Sequence, residues 1–198
     1  MLFLASCGGG PNPDEQALNA IPSTQSVNGE KFEILSLPDG LTFGDGALSG
    51  SGFVKLAKNL GSKASSYNFE LSLSLDNGGE LTFFSHASES LASGVEVKFR
   101  RNAALLSVTV TAAGITEDWS SFFTSINAAN EMKLAIDVHN DEPLTHLIFW
   151  NDLTNTELLN SAEDVDGCPG KGVGQHWGLK LVNATVSSIQ KGESRDAH

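Results

Sequence analysis

The sequence predicts an all-β fold: an antiparallel sheet with one apolar face, packed against a second sheet. Three observations predict it. First, Tyr67, Phe69, Leu71, Leu73 and Leu75 alternate strictly with Asn68, Glu70, Ser72 and Ser74, the mark of a strand with one buried face. Second, turn chemistry punctuates the pattern. Asp76-Asn77-Gly78-Gly79 interrupts it, Leu81-Thr82-Phe83-Phe84 resumes it, and Gly94 breaks it again. Val95, Val97 and Phe99 then alternate with Glu96, Lys98 and Arg100, and Leu106, Val108 and Val110 close a run that reads as four successive strands. Third, the chain has 20 Gly and 6 Pro and no long amphipathic helix, which suits many short strands and turns. A sheet with one apolar face must bury it, most simply against another sheet.

From the N-terminus, Leu4-Ala5-Ser6-Cys7 resembles the lipobox of bacterial lipoproteins. The resemblance implies acylation of Cys7, with residues 1–7 as the end of a signal peptide. Only six residues precede Cys7 and none is basic, whereas a leader needs a basic region and an apolar core of about 7–15 residues; the start was placed late or the leader trimmed. Residues 8–29, Gly/Pro-rich and then polar, fit a flexible tether. By the family's sorting habit, the lack of Asp after the cysteine implies the outer membrane. No apolar run approaches the ~20 residues of a spanning helix.

The domain is expected over 30–190, with a polar tail at 191–198. Phe32-Glu33-Ile34-Leu35 opens it, and Leu41-Thr42-Phe43 and Gly52-Phe53-Val54-Lys55-Leu56 are further short strands. After the central run, residues 117–123 predict a helical turn, with Thr116 as its N-cap. Met132, Leu134, Ile136 and Val138 alternate with Lys133, Ala135, Asp137 and His139, and Asn140-Asp141-Glu142-Pro143 is a hairpin turn. Residues 145–150 return with apolar side chains on both faces, Leu147 and Phe149 against Ile148 and Trp150. Such a strand is central and doubly covered, or its outer face binds something. Residues 151–174 read as a long irregular loop, a length uncommon unless functional or disordered. His176 to Val186 is the last strand.

The order of these elements resembles the concanavalin A-like lectin and laminin-G superfamily. The strands carrying the likeness are Phe69-Glu70-Leu71-Ser72-Leu73, Leu81 to Ser85, Gly94 to Phe99, the hairpin of Met132–Val138 and His146–Trp150, and the closing Trp177-Gly178-Leu179-Lys180-Leu181-Val182-Asn183-Ala184-Thr185-Val186. The likeness spans roughly residues 30–190 and is one of pattern. It implies a concanavalin A-like jelly roll that binds glycan, lipid or protein on a concave face or at edge loops. Fold does not fix which. Glycoside hydrolases of this sandwich carry Glu-x-Asp-x-x-Glu on one strand; that spacing is missing, so a non-catalytic module is expected.

Charge narrows the partners. Lys plus Arg is 12 and Asp plus Glu is 24, a formal net charge of -12, which repels a phosphate backbone and argues against nucleic acid. The expected partner is a glycan, or alternatively a protein, at the cell envelope, with the membrane reached through the lipid anchor. Glu70, Glu96, Lys98, Arg100, Lys133, Asp137, His146, Trp150 and Lys180 are expected on the outer sheet surface, where polar groups around a stacking ring suit a sugar. Trp150 is the best single candidate, with His146, Arg100, Asp137 and Lys98 beside it; Trp119 and Trp177 are expected in packing. No cofactor is expected. Calcium is the one candidate metal, through Asp164 and Asp166, with Asp141 and Glu142 able to approach, although no Glu closes the loop. The five histidines show no close pair at zinc-ligand spacing. Cys168 reads as a small residue tucked into a Gly-rich turn, since nothing electropositive surrounds it.

Overall fold

The computed structural model describes residues 24–27, 30–36, 40–44, 47–56, 66–140, 143–165 and 167–195. Most of them lie in twelve strands: β1 (Thr24–Val27), β2 (Glu30–Ser36), β3 (Thr42–Gly44), β4 (Ala47–Leu56), β5 (Tyr67–Ala87), β6 (Val95–Asn102), β7 (Leu105–Ala112), β8 (Ile115–Asp118), β9 (Met132–His139), β10 (His146–Asn151), β11 (Thr156–Asn160) and β12 (His176–Gly192). Every pairing among them is antiparallel.

Three strands serve both sheets of the sandwich. The first half of β5 pairs with β9, which pairs with β10 and then β11. The second half of β5 pairs with β6, followed by β7 and β8. Strand β12 accompanies β5 through both halves, and β4 accompanies β12. The first layer is therefore β11–β10–β9–β5–β12–β4–β3, and the second is β1–β2–β4–β12–β5–β6–β7–β8, with β4, β5 and β12 passing between them.

Asp76–Gly79 is the corner. It was expected to separate two strands, but Leu75 pairs with Ala184 and Glu80 with Val182, so these four residues bulge out of one continuous strand. Gly78 sits at φ +81°, a backbone state that side chains disfavour. Asn77 Oδ1 accepts the Ala103 N–H, and Arg101 Nη1 donates to Leu75 O, pinning the corner to the β6–β7 turn.

The layers meet face to face through aromatic rings. Phe69 and Phe83 belong to the two halves of β5, yet their ring centroids lie 4.9 Å apart, with Trp177 4.8 Å from Phe69. Phe99 of β6 meets Phe149 of β10 edge-on at 6.4 Å, and Phe123 closes on Phe149 at 5.3 Å. Such tilted and T-shaped contacts suit the ring quadrupoles and add to area burial. Trp119 and Trp177 are both buried.

Four expectations change. Strand β1 begins at Thr24, inside the stretch read as tether. Strand β12 runs to Gly192, and residues 193–195 continue onto the sheet instead of leaving it as a tail. The helical turn exists as a 3-10 turn at Ser120–Phe123, but Thr116 lies in β8 and bonds Thr111 across the strands; Asp118 takes the capping role by accepting the Ser120 N–H. Those bonds from the Ser120 side chain and backbone hold the exposed Asp118 carboxyl below its usual range. Finally, 151–174 is not irregular throughout: β11 pairs with β10, and a short helix, α1 (Ser161–Asp164), follows.

The rest of that loop is held by a buried polar triangle. Thr145 Oγ1 donates to Asn140 Oδ1, Asn140 Nδ2 donates to Gly172 O, and the Gly172 N–H donates to Thr145 Oγ1. The Cys168 N–H donates to Thr145 O. Cys168 is buried, and burial first, then the Glu117 charge, pushes its thiol pKa far up. A thiol kept neutral is a packing group.

Candidate functional site

The outer face of the second layer carries a concavity. Its geometry follows from register. Lys180 pairs with Thr82 and Thr82 with Lys98, so the three stand side by side across β12, β5 and β6. Phe53 lies beyond Lys180 on β4. One rung along, Gly178 pairs with Phe84 and Phe84 with Glu96. On the other side, Glu80 pairs with Arg100, and their side chains form an ion pair at 3.4 Å. Strand alternation turns Leu81, Phe83, Val97, Phe99 and Leu179 inward to the core and leaves these residues outward.

The segment from Ser88 to Gly94 folds over one end of this face. Ser88 caps it: the Leu91 N–H donates to Ser88 O, and the Ala92 N–H to Ser88 Oγ. Leu91 sits at φ +56°, unfavourable for a leucine. Its side chain is nonetheless 2% exposed, packed with Phe84, Ala87 and Phe53 in a small apolar cluster separate from the main core. Burial of that side chain offsets the backbone cost. Gly178 makes the packing possible, because a Cβ there would stand 2.5 Å from Leu91 Cδ1 and 2.3 Å from Val54 O.

The result is a groove of about 570 Å³ lined by Phe53, Phe84 and Leu91 as an apolar floor and by Thr82, Ser51, Glu96, Lys98 and Lys180 as polar walls. Phe53 and Phe84 lie 5.4 Å apart at a 47° tilt. Phe53 is half-buried and offers ring surface to the groove.

The residues singled out from sequence divide between two surfaces. Lys98 lines the groove and Arg100 lies on the same face, tied to Glu80. Asp137, His146 and Trp150 lie on the other layer, on β9 and β10. Asp137 is corrected outright as a surface residue: it is 0% exposed. Asn68 Nδ2 donates to its Oδ1 at 2.6 Å, and Ser194 Oγ and the Arg195 N–H both donate to Oδ2 at 2.8 Å. A carboxylate so enclosed organises protein, not ligand. The alternation placing Asp137 outward was right, but the last residues of the chain cover it.

The same tail reaches Trp150. The Arg195 guanidinium lies 5.8 Å from the Trp150 ring centroid and donates to Glu70 and Asp152, both at 2.7 Å. Burial works against its charge, and the Asp152 and Glu70 bonds more than offset it, raising its pKa. Trp150 is half-buried beside this cation. His146 packs against Gly167, and its buried Nδ1 has no hydrogen-bond partner among the described residues.

Of the carboxylates considered for calcium, the structure describes Asp164. Asp164 Oδ2 accepts the Asn160 N–H at the start of α1, so this carboxylate closes a turn. Asp166, Asp141 and Glu142 lie outside the described residues, as does Cys7. Among the described residues, no cluster of three or more His, Cys, Asp or Glu side chains could hold a metal ion. No helix among them is long and apolar enough to cross a membrane.

Phe53, Thr82, Phe84 and Leu91 were missed as site residues. The available signal was the one used for Trp150: Phe83 and Phe84 are consecutive in a strand, so one of them must face away from the core.

The fold defines a class: an antiparallel jelly-roll β-sandwich, of the kind seen in concanavalin A-like proteins. Solved structures agree. The chain is similar to a β-glucanase of Bacillus licheniformis, at 10% identity and a TM-score of 0.50, over 87% of this chain and 83% of that one. It is similar to a native glycosidic hydrolase at 12% identity and a TM-score of 0.50, over 87% and 89%. A carbohydrate-binding module from Bacillus subtilis aligns at 10% identity and a TM-score of 0.47, over 86% and 91%. At these identities the likeness is one of fold. No family model and no curated protein matches the chain.

Proposed function

We propose that the chain is a non-catalytic carbohydrate-binding module whose ligand lies in the groove over Phe53, Phe84 and Leu91. The observation that carries this reading is the groove itself: a half-buried ring beside hydroxyl, amine and carboxylate groups on an open sheet face. Sugars present apolar C–H faces and polar edges together, so ring contact plus a few placed polar groups is the chemistry that recognises them. The non-catalytic part is supported by the lining, in which Glu96 is the one carboxylate among the described residues; acid/base glycoside cleavage uses two.

A glycan array probed with the 198-residue chain tests this. A specific hit weakened about tenfold by Phe53→Ala, about 1.4 kcal/mol, supports the reading. A blank array, or a hit indifferent to Phe53, sinks it.

The envelope address rests on Leu4-Ala5-Ser6-Cys7 alone. The proposed role is a lipid-anchored module that holds saccharide at a bacterial membrane surface, with the outer membrane implied by Gly8 following the cysteine. Palmitate labelling of bacteria expressing the chain with a full-length lipoprotein leader placed before Leu4 should mark it and fail with Cys7→Ala; equal labelling of both, or none of either, would refute the anchor.

A further inference from the structure

The charges of the groove run against those of the chain. The whole sequence carries 24 Asp and Glu against 12 Lys and Arg. The groove lining carries two lysines against one glutamate. Neighbouring cations are neutralised locally: Arg100 by Glu80 at 3.4 Å, and Lys55 by Glu89 at 3.9 Å. Lys98 and Lys180 have neither an ion-pair nor a hydrogen-bond partner among the described residues.

Their placement is specific. Each is one strand away from Thr82, on opposite sides and in direct register. Two strand spacings put their backbones about 10 Å apart. Both side chains rise from the same sheet face, and four-carbon stems can bring the amines together over the Thr82 hydroxyl from that separation. Two ammonium groups flanking a hydroxyl make a seat for one anionic group, and charge-assisted bonds to it are stronger than neutral ones. The apolar floor adjoins this seat, so the ring of a bound sugar has a surface to cover while its charged substituent faces the lysines.

We propose that the saccharide bound in this groove is acidic, with a carboxylate or sulfate group held over Thr82 between Lys98 and Lys180. This rests on the carbohydrate-binding reading above. It also accounts for the isolated lysines: on a chain with net charge -12, long-range repulsion would oppose a polyanion, and a local cationic pair is needed to overcome it.

The test uses matched probes and titration calorimetry on the 198-residue chain. One pair is oligogalacturonate and its carboxyl-reduced, neutral counterpart. The other is a sulfated galactan oligosaccharide and its desulfated form. The expected result is tighter binding of the acidic member of at least one pair; which pair responds separates carboxylate from sulfate. The double variant Lys98→Gln/Lys180→Gln should lose roughly tenfold or more of that affinity, and Lys98→Arg/Lys180→Arg should retain most of it. Both positions are exposed, so thermal melting should stay near that of the parent. Equal binding of acidic and neutral members, or acidic binding indifferent to both double variants, overturns the anionic seat and leaves the carbohydrate reading standing. Failure of every acidic and neutral probe overturns both.

Discussion

The two outer faces of this sandwich start from the same kind of sequence and end in opposite states. On the first layer, Asn68, Glu70, Asp137 and Trp150 project outward from alternating strands, and Ser194 and Arg195 fold back over them. Arg195 alone engages Glu70, Asp152 and the Trp150 ring, and its backbone N–H joins Ser194 on Asp137. On the second layer, Phe53, Thr82, Phe84, Lys98 and Lys180 project outward in the same way, and among the described residues the 88–94 segment packs over them at one end. The first face is satisfied by its own chain. The second keeps cations and a ring available. A polar-and-aromatic strand face therefore says little about binding until it is known what else in the chain lies across it.

The comparison breaks most sharply at Asp137. Asp137→Ala leaves Asn68 Nδ2 and the Arg195 N–H short of an acceptor in a buried setting, and should cost roughly 3 kcal/mol of stability. Urea unfolding would read the loss. A change near zero would mean that the tail is not a real cover and that the first face is open after all. Saccharide binding by the folded fraction should be unaffected, since the groove lies on the other layer.

Gly178→Ala sharpens the other side. The new Cβ meets Val54 O and Leu91 Cδ1 too closely, so the 88–94 segment must shift. Overpacking of this kind costs about 1–3 kcal/mol, and the groove should change shape, seen as faster amide exchange over 88–94 and altered saccharide affinity. Unchanged exchange there would show that Leu91 does not depend on the glycine. The smallest stability effect is expected from Phe53→Ala. The ring is only half-buried, so its loss should cost about 1 kcal/mol while affecting binding far more. The two faces would then differ as they should: one variant that unfolds without touching binding, and one that does the reverse.

Much of the second face was legible in the sequence. Lys98, Arg100, Glu96 and Lys180 were expected outward, and alternation put them there. Phe84 was legible in principle, because Phe83 and Phe84 cannot both point inward. Leu91 was not: nothing in Ser88-Glu89-Ser90-Leu91-Ala92 announces a leucine at positive φ folded onto the outside of a sheet. Asp137 was misread for a similar reason. Its strand position was right, but its burial depends on Ser194 and Arg195, 57 and 58 residues away in the chain. The long segment after Asn151 also hid β11, since Thr156–Asn160 shows little alternation and is fixed by pairing with β10.

By itself the sequence determined most of the central strands, their inward and outward faces, and hence an all-β sandwich, because side-chain alternation is a local property of extended backbone. It also determined the net charge of -12. The tertiary structure decided that Asp76–Gly79 is a corner within one strand, that the candidate residues separate onto two layers, and that the groove over Phe53, Phe84 and Leu91 lies on the second of them. These are matters of which distant segments meet, and a strand pattern does not encode what will lie across it.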